Sequence, residues 1–273
     1  MEKYSVLMSL YQKENPDCLR MALESMINQT VPPDEIVLIE DGPLTEELYE
    51  VVEEYKEGYS DLLHIIINEK NLGLGLALNV GLKACGNELI ARMDTDDISK
   101  PDRCEKQLAY IEKYPATTIV GGQIEEFIRN PEETVGKRVV PETDSEIKAF
   151  MKTRCPFNHM TVMFKKSDIL EAGNYQDWFW NEDYYLWIRL ALKGYCFANL
   201  PDTLVNCRVG EEMYQRRGGD KYYRSEIGIQ KFMLENKLID CRTYMMNCLK
   251  RFIVQKLMPN KVRGWVFQKF ARS

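Results

Sequence analysis

Over the first 120 residues, short apolar runs alternate with longer amphipathic segments, and this alternation restricts the fold more than any other feature. Runs at 4–9, 35–40, 62–67, 88–93 and 117–121 read as strands. The stretches between them carry apolar residues at helical spacing, as with Leu19, Leu23, Met26 and Ile27. Asn15-Pro16 reads as an N-cap followed by proline at the first helical position. Helices are expected to about residue 29, over 45–56, over 74–84 and over 101–113. Strands alternating with helices of this length imply βαβ units, a mostly parallel sheet and helices on both faces.

Open sheets of this kind bind ligands beyond the carboxyl ends of their strands. Four segments are therefore expected to converge: Ser9-Leu10-Tyr11, Glu40-Asp41-Gly42, residues 68–75, and Asp94-Thr95-Asp96-Asp97. The last places three carboxylates within four positions, directly after an apolar strand. Such a cluster is costly unless a cation sits in it, and a divalent metal holding a phosphorylated ligand is the natural candidate. A solvated acidic loop ahead of a helix is the plain alternative.

Composition removes several classes. The 273 residues are 45% hydrophobic, enough for one large domain or one domain with an appendage. No run of 18 apolar residues occurs, and Met1-Glu2-Lys3-Tyr4 lacks the apolar stretch of a secretion signal. The eight cysteines are scattered with no C-x-x-C pair, which points to reduced thiols rather than a zinc site or disulfide scaffold. Only His64 and His159 are available for histidine chemistry. Glycines at 73 and 75 suggest a dinucleotide motif, but its third glycine would fall at Leu78. They are better read as letting backbone approach a nucleotide at a helix start.

After residue 122 the alternation fades. Residues 123–140 read as extended segments around a turn at Asn130-Pro131, followed by a helix over 144–153 and a strand over 160–164. Further helices are expected over 182–193 and 221–237. From Cys241 onward there are eight Lys or Arg and no acid; with a net charge of −6 for the whole chain, the remainder carries −14. Residues 243–270 read as two short amphipathic helices divided by Pro259 and Gly264. Basic faces opposite Met, Leu, Phe and Trp suit an anionic membrane surface, while packing on the body or a homodimer contact is the alternative. No nucleic-acid-reading motif is present.

The motifs S-L-Y-x-K-E (9–14), E-D-G-P (40–43), N-L-G-L-G-x-A-L-N (71–79), A-R-M-D-T-D-D-I-S-x-P-D-R (91–103) and N-E-D-Y-Y-L-W-I-R-L (181–190) occur in an order that resembles the family 2 glycosyltransferases. The resemblance covers roughly residues 3–235. It implies an α/β, GT-A type fold with a Rossmann-like, mostly parallel sheet, and an inverting transfer from a UDP-sugar. Residues 1–122 would form the nucleotide-sugar half, 123–240 the acceptor and catalytic-base half of the same domain, and 241–273 a basic helical tail.

The resemblance also implies roles. Asp41 would accept the uracil N3–H, with Ser9 and Tyr11 flanking the base and Asn71 and Gly73 completing the donor side. Asp96 would bind the ribose and Asp97 would ligate Mg2+ or Mn2+, with Asp94 supporting them. Asp183 would be the general base. Glu182, Trp180, His159 and the loop residues Arg216 and Arg217 are candidates for acceptor or phosphate contacts. Relatives carry arginine where this chain has Leu78, and Glu40 replaces a more usual aspartate. The implied acceptor is a glycan, in particular one linked to polyprenyl diphosphate, elongated at the cytoplasmic face of the plasma membrane in capsule, O-antigen or exopolysaccharide assembly. The absence of spanning segments and of Q-x-x-R-W argues against a processive synthase. An inactive nucleotide-sugar-binding relative, or a transferase using UDP-GlcNAc, is the competing reading.

Overall fold

A computed structural model describes residues 2–210 and 219–257. Strand β1 (Tyr4–Leu10) is central. It pairs in parallel with β2 (Glu35–Asp41) and β4 (Leu89–Arg92), and β2 pairs in parallel with β3 (Leu63–Asn68). The crossovers are α1 (Pro16–Ile27), α2 (Glu46–Gly58) and α3 (Leu74–Ala84). Helix α1 starts as the sequence predicts: Pro16 needs no N–H partner, and the Asn15 side chain accepts from the N–H groups of Asp17 and Cys18.

The rest of the chain continues the sheet in mixed orientation. After the short β5 (Ile98–Ser99) and α4 (Arg103–Lys113), β6 (Thr117–Phe127) runs on past the predicted strand end. It turns at residues 130–133, where the Asn130 side chain accepts from Glu132 N–H, and returns as β7 (Gly136–Arg138). Helix α5 (Asp144–Met151), a 3-10 turn (His159–Thr161), β8 (Met163–Lys165), α6 (Lys166–Glu171) and α7 (Glu182–Leu192) follow. Strand β8 is antiparallel to both β4 and β6, so it joins the two halves of the sheet. Strand β9 (Cys196–Arg208) was not anticipated. It lies parallel to β6 and antiparallel to β5. The final described elements are α8 (Asp220–Glu235), α9 (Cys241–Phe252) and a π-helical turn (Ile253–Leu257). The sheet order is β3-β2-β1-β4-β8-β6-β9-β5, with β7 on β6. The result is the α/β architecture expected, with a mostly parallel central sheet flanked by helices.

Alternation along the strands builds a core on each face. Val6, Met8 and Leu38 pack under α1, α2 and α4. Leu7, Val37, Ile39 and Ile90 pack under α3 and α7, with Trp187 and Leu190 fully buried. Each such Leu, Ile or Val contributes about 1.5–3 kcal/mol. The second core matters for function because it fixes α7 against the carboxyl ends of the strands.

The tail is only partly within the described residues. Helix α9 packs on the body: Asn247 donates to Gln230 and to the Lys152 carbonyl, and Arg251 pairs with Glu226 at 2.5 Å and donates to the Thr153 carbonyl. Its outer face carries exposed Met245, Met246 and Leu249; Phe252, also exposed, meets the ring of Tyr223 on α8, and Ile253 of the following turn is exposed too. Pro259, Gly264 and the second predicted tail helix lie outside the described residues, as do Arg216 and Arg217.

Candidate active site

The four parallel strands end together, as the topology requires. Asp41 closes β2, and its carboxylate organises the segment after β3. It accepts from the Asn68 side chain at 3.0 Å and from the N–H groups of Leu72 and Gly73 at 2.9 Å, while Asn71 donates to its carbonyl at 3.0 Å. Asp41, Asn71 and Gly73 are therefore brought together. Three donors leave this carboxylate room for one more, since a carboxylate offers about four acceptor sites. Gly73 precedes α3 with φ +86°, a conformation that favours glycine. Gly75 has a job the sequence did not suggest. A Cβ there would lie 2.9 Å from Cβ of Glu182, so its absence lets the first turn of α7 close onto α3.

The acidic cluster follows β4. Asp94, Asp96 and Asp97 bring one carboxylate oxygen each within 4.8 Å of one another. Thr95 bonds the Ser9 carbonyl at 3.3 Å and Glu14 at 3.0 Å, tying the cluster to the end of β1 beside Tyr11. The loop is held from the far side by Arg208 at the end of β9. Its N–H donates to Asp97 Oδ1 at 2.7 Å, its Nε donates to the Asp96 carbonyl at 3.1 Å, and its guanidinium stacks over Phe127.

Asp97 is 1% exposed, and its Oδ2 has no hydrogen-bond partner among the described residues. A buried, unpartnered carboxylate oxygen facing two more carboxylates is costly for a protein alone and suited to a hard divalent cation. Burial raises Asp96 to about 7, with Asp94 and Glu14 adding to the effect, and burial with Asp96 and Asp94 holds Asp97 well above the usual carboxylate range. The residues present fit a metal ion.

The opposite wall is the start of α7. Glu182 and Asp183 occupy its first turn, where the helix dipole favours acids. Asp183 accepts from Tyr184 N–H at 2.6 Å and from the Cys155 thiol at 3.4 Å. Burial, followed by repulsion from Asp183, brings Glu182 to about 7; burial likewise raises Asp183. Acids poised this way suit proton abstraction near neutral pH. The turn before them is strained, with Trp180 at φ +60° and its ring exposed as a wall. Helix α8 supports that turn: Ser225 accepts from Trp178 through its carbonyl and from Asn181 through its hydroxyl, and donates to the Phe179 carbonyl.

His159 bonds Tyr175 through Nε2 at 2.8 Å, and burial together with the Arg92 charge holds its imidazole well below the usual range. His64 is exposed on β3. Leu78 is fully buried in the core, so that position presents no side chain to the site.

Three contributors were not singled out from the sequence. Arg92 sits beneath the site and pairs with Asp94 at 2.5 Å. Cys155 touches Asp183. Arg208 clamps the cluster from a strand the reading missed. Only Arg92 carried a signal, as a lone cation at the end of an apolar strand next to the acids.

The pattern for "Glycosyl transferase family 2" matches residues 5–170 of this chain. The chain belongs to glycosyltransferase family 2. This transferase is 40% identical, over 97% of its length and 98% of the relative's, to the amylovoran biosynthesis glycosyltransferase AmsE of Erwinia amylovora. It is 37% identical, over 99% and 97%, to the UDP-Gal:alpha-D-GlcNAc-diphosphoundecaprenol beta-1,3-galactosyltransferase of Escherichia coli. Among solved structures it resembles the mannosyltransferase PcManGT from Pyrobaculum calidifontis in complex with GDP-Man and Mn2+. The TM-score is 0.67 with 14% identity, over 96% of this chain and 72% of that one, a likeness of GT-A fold.

Proposed function

We propose that this glycosyltransferase moves a single hexose from a UDP-sugar, UDP-Gal or UDP-Glc, to a lipid-linked glycan acceptor in surface-polysaccharide assembly, with inversion at the anomeric carbon. The observation that carries the reading is the opposition of two acidic groups: a metal-type cluster at the strand ends and a high-pKa carboxylate pair at the start of α7. The named galactosyltransferase relative supports the donor and the diphospholipid acceptor.

In this reading Asp41 takes the uracil N–H in its remaining acceptor position, and Ser9 and Tyr11 frame the base. Asp96 holds the ribose. Asp97, with Asp94 nearby, would hold Mg2+ or Mn2+, which offsets charge on the departing nucleoside diphosphate. Asp183 takes the proton of the acceptor hydroxyl as its oxygen attacks from the side opposite the leaving group, through an oxocarbenium-like transition state. Trp180 offers the acceptor sugar an apolar wall. A panel of UDP-sugars with Mn2+ and a GlcNAc-diphosphoalkyl acceptor, read by UDP release and product mass, tests this. The expected result is one preferred UDP-hexose and a product heavier by one hexose. Tight UDP binding without turnover would favour the inactive binding relative, and preference for UDP-GlcNAc would correct the donor.

No described helix is long and apolar enough to cross a membrane. We place the protein on the cytoplasmic membrane surface through the exposed face of α9 and the basic residues from 241 onward. The full-length chain is expected to float with phosphatidylglycerol vesicles. Met245→Glu with Met246→Glu and Leu249→Glu, which spares the packing residues Asn247, Arg251 and Phe252, should remove most of that binding. Equal flotation of the two proteins would overturn the assignment, and a concentration-dependent dimer lost in the variant would give this face to a second copy.

A further inference from the structure

Trp180 stands in the left-handed region, at φ +60°, with its ring 45% exposed. A bulky residue rarely adopts that backbone conformation, and a glycine would make the same turn without strain. Backbone strain is tolerated here for the sake of the ring, which points to a use outside folding. The next residue, Asn181, leads into the first turn of α7, where Glu182 and Asp183 stand. A shift of the turn would therefore move the ring and the carboxylates together.

Helix α8 clamps this turn through one residue. The Ser225 hydroxyl donates to the Phe179 carbonyl at 2.6 Å and accepts from the Asn181 side chain at 3.0 Å, while the Ser225 carbonyl accepts from Trp178 Nε1 at 3.1 Å. Ser225 holds the residues on both sides of Trp180 and leaves the ring of Trp180 facing outward. Two further contacts tighten the fit. A Cβ on Gly228 would lie 2.9 Å from the Trp178 ring, which packs against Tyr185 with centroids 4.2 Å apart. Lys221 Nζ sits 4.0 Å over the Phe179 ring. From the other side, a Cβ on Gly75 would lie 3.0 Å from the Gln176 carbonyl oxygen, so α3 bounds the start of the same segment. The turn is confined between α3 and α8.

We propose that Ser225 is a positioning residue for the acceptor. By clamping the strained turn it fixes the Trp180 ring as a platform for the apolar C–H face of an acceptor pyranose, in a set relation to the Asp183 carboxylate that takes the hydroxyl proton. Ser225 acts through the turn and not on the reacting atoms. A hydroxyl suits the task, because one group supplies both the donor that the Phe179 carbonyl takes and the acceptor that Asn181 needs. The inference rests on the proposed transfer to a glycan, and the two fail separately. Acceptor binding to the protein with UDP and Mn2+ requires no turnover, so the role of Ser225 is read even where no UDP-sugar supports transfer.

The test follows binding of a GlcNAc-diphosphoalkyl acceptor to the full chain with UDP and Mn2+ by quenching of tryptophan fluorescence, beside kcat/KM for that acceptor. Trp180→Phe should remove most of the quenching. Ser225→Ala should weaken acceptor binding and lower kcat/KM for the acceptor by roughly tenfold or more, since a misplacement of about 1 Å can cost about 100-fold. Its affinity for UDP, read by calorimetry, should stay at the wild-type value. Ser225→Thr keeps the hydroxyl and should recover most of the loss. Trp180→Gly relieves the backbone, so its melting temperature should hold or rise while acceptor binding falls. In that background Ser225→Ala should cost little more, because the clamp acts through the turn that carries the ring. Ser225→Cys, similar in size with weaker hydrogen bonds, takes the place of Ser225→Ala if the latter does not fold. Wild-type acceptor binding in the folded Ser225 variants, an equal loss of UDP affinity, or a full further loss on top of Trp180→Gly would show Ser225 to be structural only and overturn the proposal. Acceptor binding that survives Trp180→Gly would overturn it too.

Discussion

Asp183→Asn is expected to lower kcat by about 10²–10⁴-fold, the usual contribution of a positioned general base. The substitution is nearly isosteric. An asparagine oxygen can still accept from Tyr184 N–H, now at 2.6 Å, so the melting temperature should hold and the KM for donor should change little. What is lost is the acceptor of the hydroxyl proton. Glu182→Gln separates the two neighbours, since Glu182 packs its stem against Gly75 and is expected to affect rate less. In the wild type, burial raises both acids, Glu182 to about 7. A base must be deprotonated to act, so activity should be complete above neutrality and fall as pH drops through the upper carboxylate range. A variant at 183 with wild-type kcat and an unchanged acid limb would move the base elsewhere.

Removing the metal-type carboxylate should cost as much by a different route. Asp97→Asn keeps an oxygen for Arg208 N–H, now at 2.7 Å, but replaces the unpartnered Oδ2 by an amide that cannot ligate a cation. Charge stabilisation of the departing diphosphate by a metal is worth several kcal/mol, so transfer should fall by about 10³-fold. Mn2+ titrated into protein with UDP should show weakened binding, and the melting temperature should stay level or rise because a buried charge has gone. Transfer that survives both Asp97→Asn and chelator would refute metal dependence.

Much of the arrangement at the strand ends was legible from residues alone. Strand periodicity located the ends of β1 to β4, and topology then required Ser9, Asp41, residues 68–75 and the acidic cluster to meet. Local signals sufficed because every partner follows its strand directly. The wall built by α7 was legible as a helix with acids in its first turn, yet nothing local revealed that Gly75 lets that turn close onto α3. Strand β9 escaped because Pro201 and Asp202 interrupt its pattern, and the β6–β9 pairing shifts register near that point. Missing β9 meant missing Arg208 as the clamp on Asp97. Cys155 meets Asp183, 28 residues on in sequence, a relation that spacing does not encode.

Helix α9 has a consequence beyond its exposed face. Asn247 and Arg251 hold the carbonyls of Lys152 and Thr153, and two residues after Thr153 the Cys155 thiol rests on Asp183. Helix α9 thus braces the strap that lies against the Asp183 carboxylate. Shortening the protein at residue 240 would do two things at once, removing the exposed face to which we assign membrane contact and slackening the segment that carries Cys155. Point changes on the outer face of α9 separate those effects, and a deletion cannot.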